Sequence, residues 1–128
     1  MVDIGLLGAK SGLDAKTIIE GNTIFGQYKG ALTEQYVLQQ LKCSTGIEIY
    51  YWSSEQGIAE IDFLIQTGGK VIPIEVKAQE NLKAKSLKSF RDKFHPELSL
   101  RTSMSDFREE ETLTNLPLYG ISLINSLT

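Results

Sequence analysis

The sequence holds a single cysteine, Cys43. One thiol cannot build an internal disulfide framework or a cysteine-based metal cluster, and its scarcity fits a reducing compartment such as the cytoplasm. Cys43 stands near the end of a helical stretch and reads as a packing residue. No apolar run is long enough to span a membrane, and the first residues lack the basic, apolar and small-residue order of a signal peptide. The one histidine, His95, stands in a turn before Pro96 and receives no catalytic role. Positive charge is in short supply: the net charge is −3 and the pI about 5.2. That balance argues against strong nonspecific binding of nucleic acid by the surface as a whole. No internal repeat or low-complexity tract interrupts the chain. Its 128 residues, 41% hydrophobic and 23% charged, suit one domain, 1–128, with a core of its own.

What is there centres on Ile58 to Gln79. Two strands meet at Gly68-Gly69, which supply the positive φ of a tight hairpin turn. Alternation puts Ala59, Ile61, Phe63 and Ile65 on one face of the first strand, and Glu60, Asp62 and Leu64 on the other. In the second strand Ile72, Ile74 and Val76 share a face, with Val71, Pro73, Glu75 and Lys77 opposite. With Gly68 and Gly69 as loop residues, Thr67 faces Lys70, Ile65 faces Ile72 and Phe63 faces Ile74. Asp62 then lands opposite Glu75, in a register that assumes no bulge. Directly opposed side chains have Cβ atoms roughly 5 Å apart. Two ionised carboxylates at that separation repel by about 3 kcal/mol at an effective dielectric near 20. A divalent cation between them would offset the repulsion. The plainer alternative is a surface sheet face with Lys77 paired to Glu60.

Elsewhere the elements follow in order. Val2 to Leu7 reads as a short strand. Gly8 to Gly12 superficially resembles a phosphate-binding loop but has Ala9, not Gly, before Lys10, so it reads as a polar turn. Ala15 to Glu20 reads as a short helix capped by Asp14. Thr23 to Lys42 is the best helix, with Val37, Leu38 and Leu41 as its apolar stripe. Glu34 lies on that same face at helical spacing. An acid there costs desolvation unless it is paired or bound to metal; the alternative puts it at the edge of the stripe or at a helix start.

Ile47 to Trp52 is the first sheet strand. Its Tyr50-Tyr51-Trp52 run suits sheet packing more than base stacking. A helix runs from about Leu82 to Phe94, with Leu87, Phe90 and Phe94 as its seam. Lys83, Lys85, Lys88, Arg91 and Lys93 cover the rest, either a solvated face or a phosphate-facing rim beside the acidic cluster. Leu98 to Thr102 is a strand, Asp106 to Glu111 an acidic loop or hairpin, and Leu116 to Ile124 begins as a further strand.

Asp62 followed by Glu75-Val76-Lys77 on the next strand resembles the pattern of the PD-(D/E)xK nuclease superfamily, with Ile61 in place of its proline. The order helix, three strands, helix, strand matches the αβββαβ core of that superfamily. The expected fold is therefore α/β and restriction-endonuclease-like, a central mixed sheet flanked by helices. Residues 23–102 form the core, 1–22 an N-terminal extension and 103–128 a C-terminal one.

A closer resemblance covers nearly the whole chain. Asp3 to Leu7, Gly30 to Val37, Tyr51-Trp52, Ala59 to Phe63, Ile74 to Lys77 and Asn115 to Tyr119 resemble the C-terminal domain of unknown function in prokaryotic AAA-type ATPases. The resemblance implies an excised C-terminal domain, whose linked ATPase module would be its partner.

These residues suit two functions. In the first the domain is a metal-dependent nuclease acting on DNA. Glu34, Asp62, Glu75 and the Val76 carbonyl would bind Mg²⁺ or Mn²⁺, and Asp62, Glu75 and Lys77 would carry the chemistry. Lys77 would position water and offset phosphate charge. In the second it is a catalytically silent nucleic-acid-binding or protein-docking module of the ATPase.

Overall fold

A computed structural model describes residues 6, 9, 23–44, 46–78 and 85–128. Of the N-terminal expectations, Leu6 and Ala9 are helical, so the strand at Leu6 and the turn at Ala9 give way to helix. Leu and Ala are both strong helix formers, and the alternation that suggested a strand is short. The remainder of that strand and turn, the helix from Ala15 to Glu20 and the helix start at Asn81 to Lys83 lie outside the described residues.

Helix α1 spans Thr23–Cys43. Val37 and Leu41 are fully buried, one turn apart on its inner face. Cys43, the last helical residue, is exposed, so it is not the packing residue expected. Ser44 N–H closes the helix on Leu41 O at 3.1 Å, and Gly46 turns the chain with φ 76°. Strands β1 (Glu48–Ser53), β2 (Glu60–Thr67) and β3 (Lys70–Val76) follow as an antiparallel meander. Helix α2 (Lys85–Phe94) leads to β4 (Ser99–Ser103). The acidic segment is a hairpin, as one reading had it: β5 (Arg108–Glu110) turns into β6 (Leu113–Pro117). From Leu118 to Ser126 the chain is a 3₁₀ helix, so the last apolar run is strand only up to Pro117.

The six strands form one mixed sheet in the order β1-β2-β3-β4-β6-β5. β3 to β4 and β4 to β6 are parallel. The first parallel step is made through α2, as parallel neighbours require a crossover. The chain is thus α/β, with the order helix, three strands, helix, strand from Thr23 to Ser103. The C-terminal strands extend the same sheet.

Helices lie on both faces, and each face has its own apolar cluster. The larger one joins Val37 and Leu41 of α1 to Phe63, Ile65, Ile72, Ile74 and Val76, to Leu100 and Leu116, and to Ile121 and Ile124 of the 3₁₀ helix. The smaller joins Leu87 and Phe90 of α2 to Ile61 and Leu113, with Trp52 and Leu64 packed against it. Trp52 meets Phe90 edge-to-face with ring centroids 5.1 Å apart. Phe94, the third residue of the expected seam, is 48% exposed and completes only its rim.

The β2–β3 hairpin has the expected register: Thr67 opposite Lys70, Ile65 opposite Ile72 and Phe63 opposite Ile74. Gly68 and Gly69 take φ of 57° and 78°, the left-handed values of a tight turn. Beyond Phe63 the alternation breaks. On the β1 side Tyr50 pairs with Leu64, but Trp52 pairs with Ile61. Asp62 and Phe63 therefore oppose Tyr51 alone, which is a β-bulge in β2. Ile61 consequently packs with Leu64 on the α2 side, not with Phe63 and Ile65 as strict alternation required.

Candidate functional site

The bulge shapes the site. It turns Asp62 and Phe63 to the same side, toward α1. There a cleft of about 500 Å³ opens between α1 and the β1–β2 edge of the sheet. Ala31, Glu34, Gln35 and Leu38 line it from the helix, and Tyr51 to Ser53 and Glu60 to Phe63 from the strands. The helical residues recur at i, i+3, i+4 and i+7, one face of α1. That spacing was available in the sequence, and it would have added Ala31 and Gln35 to the site. The lining contains three carboxylates, Glu34, Glu60 and Asp62, and no basic side chain.

Asp62 is the pivot. Its Oδ2 accepts a hydrogen bond from the Val76 backbone N–H at 2.7 Å. The carboxylate thereby stands where a strand carbonyl would otherwise complete the β2–β3 ladder, whose pairing ends at Phe63 and Ile74. Asp62 and Glu75 do not form the face-to-face cross-strand pair expected; the two strands fork around the Asp62 side chain. Burial pushes the Asp62 carboxyl up from 3.8 to about 6. The Val76 N–H pulls it down, while the charges of Glu75 and Glu34 push it further up and Lys77 pulls it down. Glu34 is also raised, first by desolvation against the cleft wall and then by the charge of Glu75. It is exposed on its outer side and stands at the edge of the apolar stripe of α1. The three acids and the lysine thus form one electrostatic group.

Glu75 and Lys77 flank Val76, the residue that holds Asp62. Lys77 Nζ lies 2.6 Å from Glu75 Oε1, so its partner is Glu75 and not Glu60. Glu75 is 6% exposed, and its other oxygen, Oε2, is buried without a hydrogen-bond partner. Alternation along β3 sets Glu75 in register with Arg101 of β4, away from the Ile74 and Val76 side chains. Lys77 N–H is held by Thr102 O at 2.9 Å. Glu75 and Lys77 therefore adjoin the cleft from behind the fork and do not line it. Val76 itself has its side chain in the larger core.

Among the described residues no three His, Cys, Asp or Glu side chains converge closely enough to hold a metal ion as they stand. The donor set is all oxygen, the kind preferred by hard divalent cations. The partnerless Glu75 Oε2 and the raised Asp62 carboxyl are the two features that a cation would relieve.

The basic helix does not form a rim on this cleft. Lys88 and Arg91 line a separate cleft on the α2 side, with His95 and Arg101. The aromatic run of β1 divides as well. Trp52 packs under α2, whereas Tyr50 and Tyr51 are 49% and 67% exposed, contrary to their expected role in packing. Tyr50 and Tyr51 are consecutive residues, so they face opposite sides of β1, which is an edge strand of the sheet. Tyr51 stands on the wall of the acidic cleft, its ring 5.7 Å from that of Phe63.

Comparison with protein families matches residues 29–120 to a domain of unknown function, DUF4143. The match covers most of the chain, which therefore belongs to that family, one commonly found in proteins associated with AAA-type ATPases. No curated protein and no solved structure matches the chain. No helix among the described residues is long and apolar enough to cross a membrane.

Proposed function

We propose that this DUF4143 domain is a divalent-metal-dependent phosphodiesterase of the PD-(D/E)xK kind, acting on DNA. The observation that carries the reading is the strained acidic group at the strand fork. A carboxyl is raised to about 6 by burial and by the charges of two further acids, and one of those acids, Glu75, has a buried oxygen with no partner. A fold that needed these residues only for stability would gain by replacing them with neutral ones.

Asp62, Glu75 and Glu34, with the Val76 carbonyl, are the residues that would hold Mg²⁺ or Mn²⁺. The bound ion would lower the pKa of a water and clamp the scissile phosphate. Asp62 is held in place by the Val76 N–H and needs no side-chain search to serve as a ligand. Glu75 would contribute its partnerless Oε2, while its Oε1 keeps the Lys77 ammonium beside the site, where it would orient water and balance negative charge growing on the phosphate. The cleft lining supplies no cation of its own, so a bound metal would supply the positive charge that a phosphate there needs. Tyr51 gives the cleft an aromatic wall suited to an unstacked base.

The test is a plasmid-nicking time course in Mg²⁺ or Mn²⁺ with wild type, Lys77→Ala and Asp62→Ala, each checked for folding. Wild-type nicking should fall by about 10²-fold or more in both variants. Calorimetric titration with Mn²⁺ should show binding in wild type and none in Asp62→Ala. Equal background nicking in all three proteins, with no Mn²⁺ heat, sinks the nuclease reading.

A second reading keeps the domain as a catalytically silent docking module of an ATPase. An apolar hollow between α1 and the 3₁₀ helix favours it. Leu32, Tyr36, Met104, Leu118 and Tyr119 line that hollow, with Met104 65% and Tyr119 78% exposed.

A further inference from the structure

The two edges of the sheet are built differently. At one edge β5 is three residues long, Arg108–Glu110, and every one is charged and exposed. Short length and charge protect an edge against pairing with another chain. At the other edge β1 runs for six residues with no lysine, arginine or proline. Its one charge, Glu48, accepts a hydrogen bond from the Tyr50 hydroxyl at 3.0 Å. We infer that β1 takes up an extended segment of another protein as a further strand, one in which basic residues alternate with apolar ones. The inference stands on the edge strand and on the lining of the cleft beside it, and does not rest on the metal-dependent reading.

The backbone is the first argument. Pro73 has no N–H, so its pairing with Leu64 is of the non-hydrogen-bonded kind. Leu64 therefore turns its own N–H and C=O to β1, where it opposes Tyr50. Just past the other end of β1, the Ser54 N–H also points inward, to Ala59 O at 2.8 Å. Inward groups at Tyr50 and Ser54 fix the parity of the strand. The backbone groups of Ile49, Tyr51 and Ser53 point outward, and no strand among the described residues takes them up. The bulge lies in β2, so β1 keeps a regular spacing and presents these residues at a repeat of about 7 Å.

The side chains are the second argument. Residues of an added strand that oppose Ile49, Tyr51 and Ser53 share their face, which is the α1 side. On that side lies the acidic cleft, with Glu34, Glu60 and Asp62 in its lining and no base. No ion pair among the described residues reaches Glu34 or Glu60. An added strand stands about 10 Å from β2, two strand spacings away. Arginine and lysine have the reach to cross β1 from there, with their apolar stems along the ring of Tyr51. The residues in between turn to the α2 side. There Tyr50 is half exposed, and Trp52 and Phe94 meet edge-to-face with ring centroids 5.8 Å apart, a surface that suits apolar side chains.

A second copy of the chain does not meet these demands. Ile49, Tyr51 and Ser53 carry no cation to the cleft, and β5 offers one arginine against two glutamates. The occupant is a separate basic segment, held by main-chain pairing and sorted by its alternate side chains.

The experiment is an NMR titration of the 128-residue chain in EDTA with an end-blocked peptide as long as β1, made of alternating arginine and valine. Saturable shifts are expected. Hydrogen exchange should slow at the amides of Ile49, Tyr51 and Ser53 and stay unchanged at Tyr50 and Trp52, whose N–H groups point to β2. The same peptide methylated on its arginine backbone nitrogens keeps its charge but cannot donate to β1, and should bind at least about tenfold more weakly. A peptide of alternating glutamate and valine should be weaker by about as much. Glu34→Gln and Glu60→Gln, each confirmed folded by its amide spectrum, should each weaken the arginine peptide about two- to fivefold. Equal affinity for the methylated peptide would reduce the contact to bulk charge attraction and overturn the proposal, as would equal affinity for the glutamate peptide or shifts that do not saturate. Slow exchange at Ile49, Tyr51 and Ser53 in the free chain, with a dimer in sedimentation, would give the edge to a second copy and overturn it as well. Metal is absent throughout, so none of these outcomes decides the nuclease reading.

Discussion

The two faces of the sheet solve different problems. On the α1 side a broad apolar cluster fills the space between helix and sheet, and the charged groups are pushed to one end, where the strands fork. On the α2 side the cluster is small, and charged side chains occupy much of the surface that a larger core would have taken. The α1 face therefore carries more of the stability and concentrates its electrostatic cost at Asp62. The α2 face spreads its charge over a cleft and relies on hydrogen bonds to the sheet to keep it in order. Rigidity and chemistry are separated by a few residues on one face and interleaved on the other.

The largest effect should come from testing that asymmetry in the cores. Ile74→Ala on the central strand should cost about 3–5 kcal/mol, because neighbours fixed on both sides cannot collapse into the cavity. Leu87→Ala in the smaller cluster should cost about 2–3 kcal/mol, because clefts beside it let the site relax. Urea denaturation of both variants checks the order; equal costs would erase the distinction between the faces.

A smaller effect, of opposite sign, is expected at the fork. The folded state raises the Asp62 carboxyl from 3.8 to about 6 and so binds its proton more tightly than the unfolded chain. Wild type must then lose stability as pH rises from about 4 to about 6, and the loss is complete above that window. Asp62→Asn removes the charge and can still accept from Val76 N–H. It should stabilise the domain by about 1–3 kcal/mol at pH 8, and by nothing at pH 3.5. Thermal melts at the two pH values read this directly. A stabilisation independent of pH would mean that packing, not charge, strains the site.

The smallest effect is reserved for a charge pair that belongs to neither face's chemistry. Lys70 Nζ lies 2.7 Å from Glu97 Oε2, with both side chains more than half exposed. Lys70→Ala should change stability by less than about 1 kcal/mol, and less still in high salt. A larger loss would mean that the hairpin turn is anchored through this pair.

Local signals in the sequence set the hairpin and the order of elements, and long-range pairing sets the rest. The hairpin register was legible because Gly68-Gly69 fixes the loop, and the loop fixes every pair up to Phe63 and Ile74. The order of helices and strands was legible from periodicity. The bulge was not, because it is set by how β1 lies against β2 at Tyr51, a long-range pairing with no local mark. It is what moved Ile61 across the sheet and replaced the expected Asp62–Glu75 opposition with a fork. The exposure of Tyr50 and Tyr51 was hidden for a related reason: an aromatic run looks the same in an edge strand as in a central one. The site residues Asp62, Glu75, Lys77 and Glu34 came from the pattern Asp, Glu-x-Lys and a helical acid. The electrostatic coupling among them appears only once the chain is folded.

The bulge in β2 has a consequence for substitution and for alignment. It acts as a phase slip: residues on either side keep their spacing of two, but the side they face is inverted across it. Removing one residue between Glu60 and Leu64 would restore strict alternation, carry the acid to the wrong side of the sheet, and leave composition and hydropathy almost untouched. Such a deletion would resemble a harmless length change while silencing the α1 cleft. Relatives lined up by hydrophobic pattern alone will agree from Phe63 onward and disagree by one position before it. In this strand, chain length between two points is itself a functional residue.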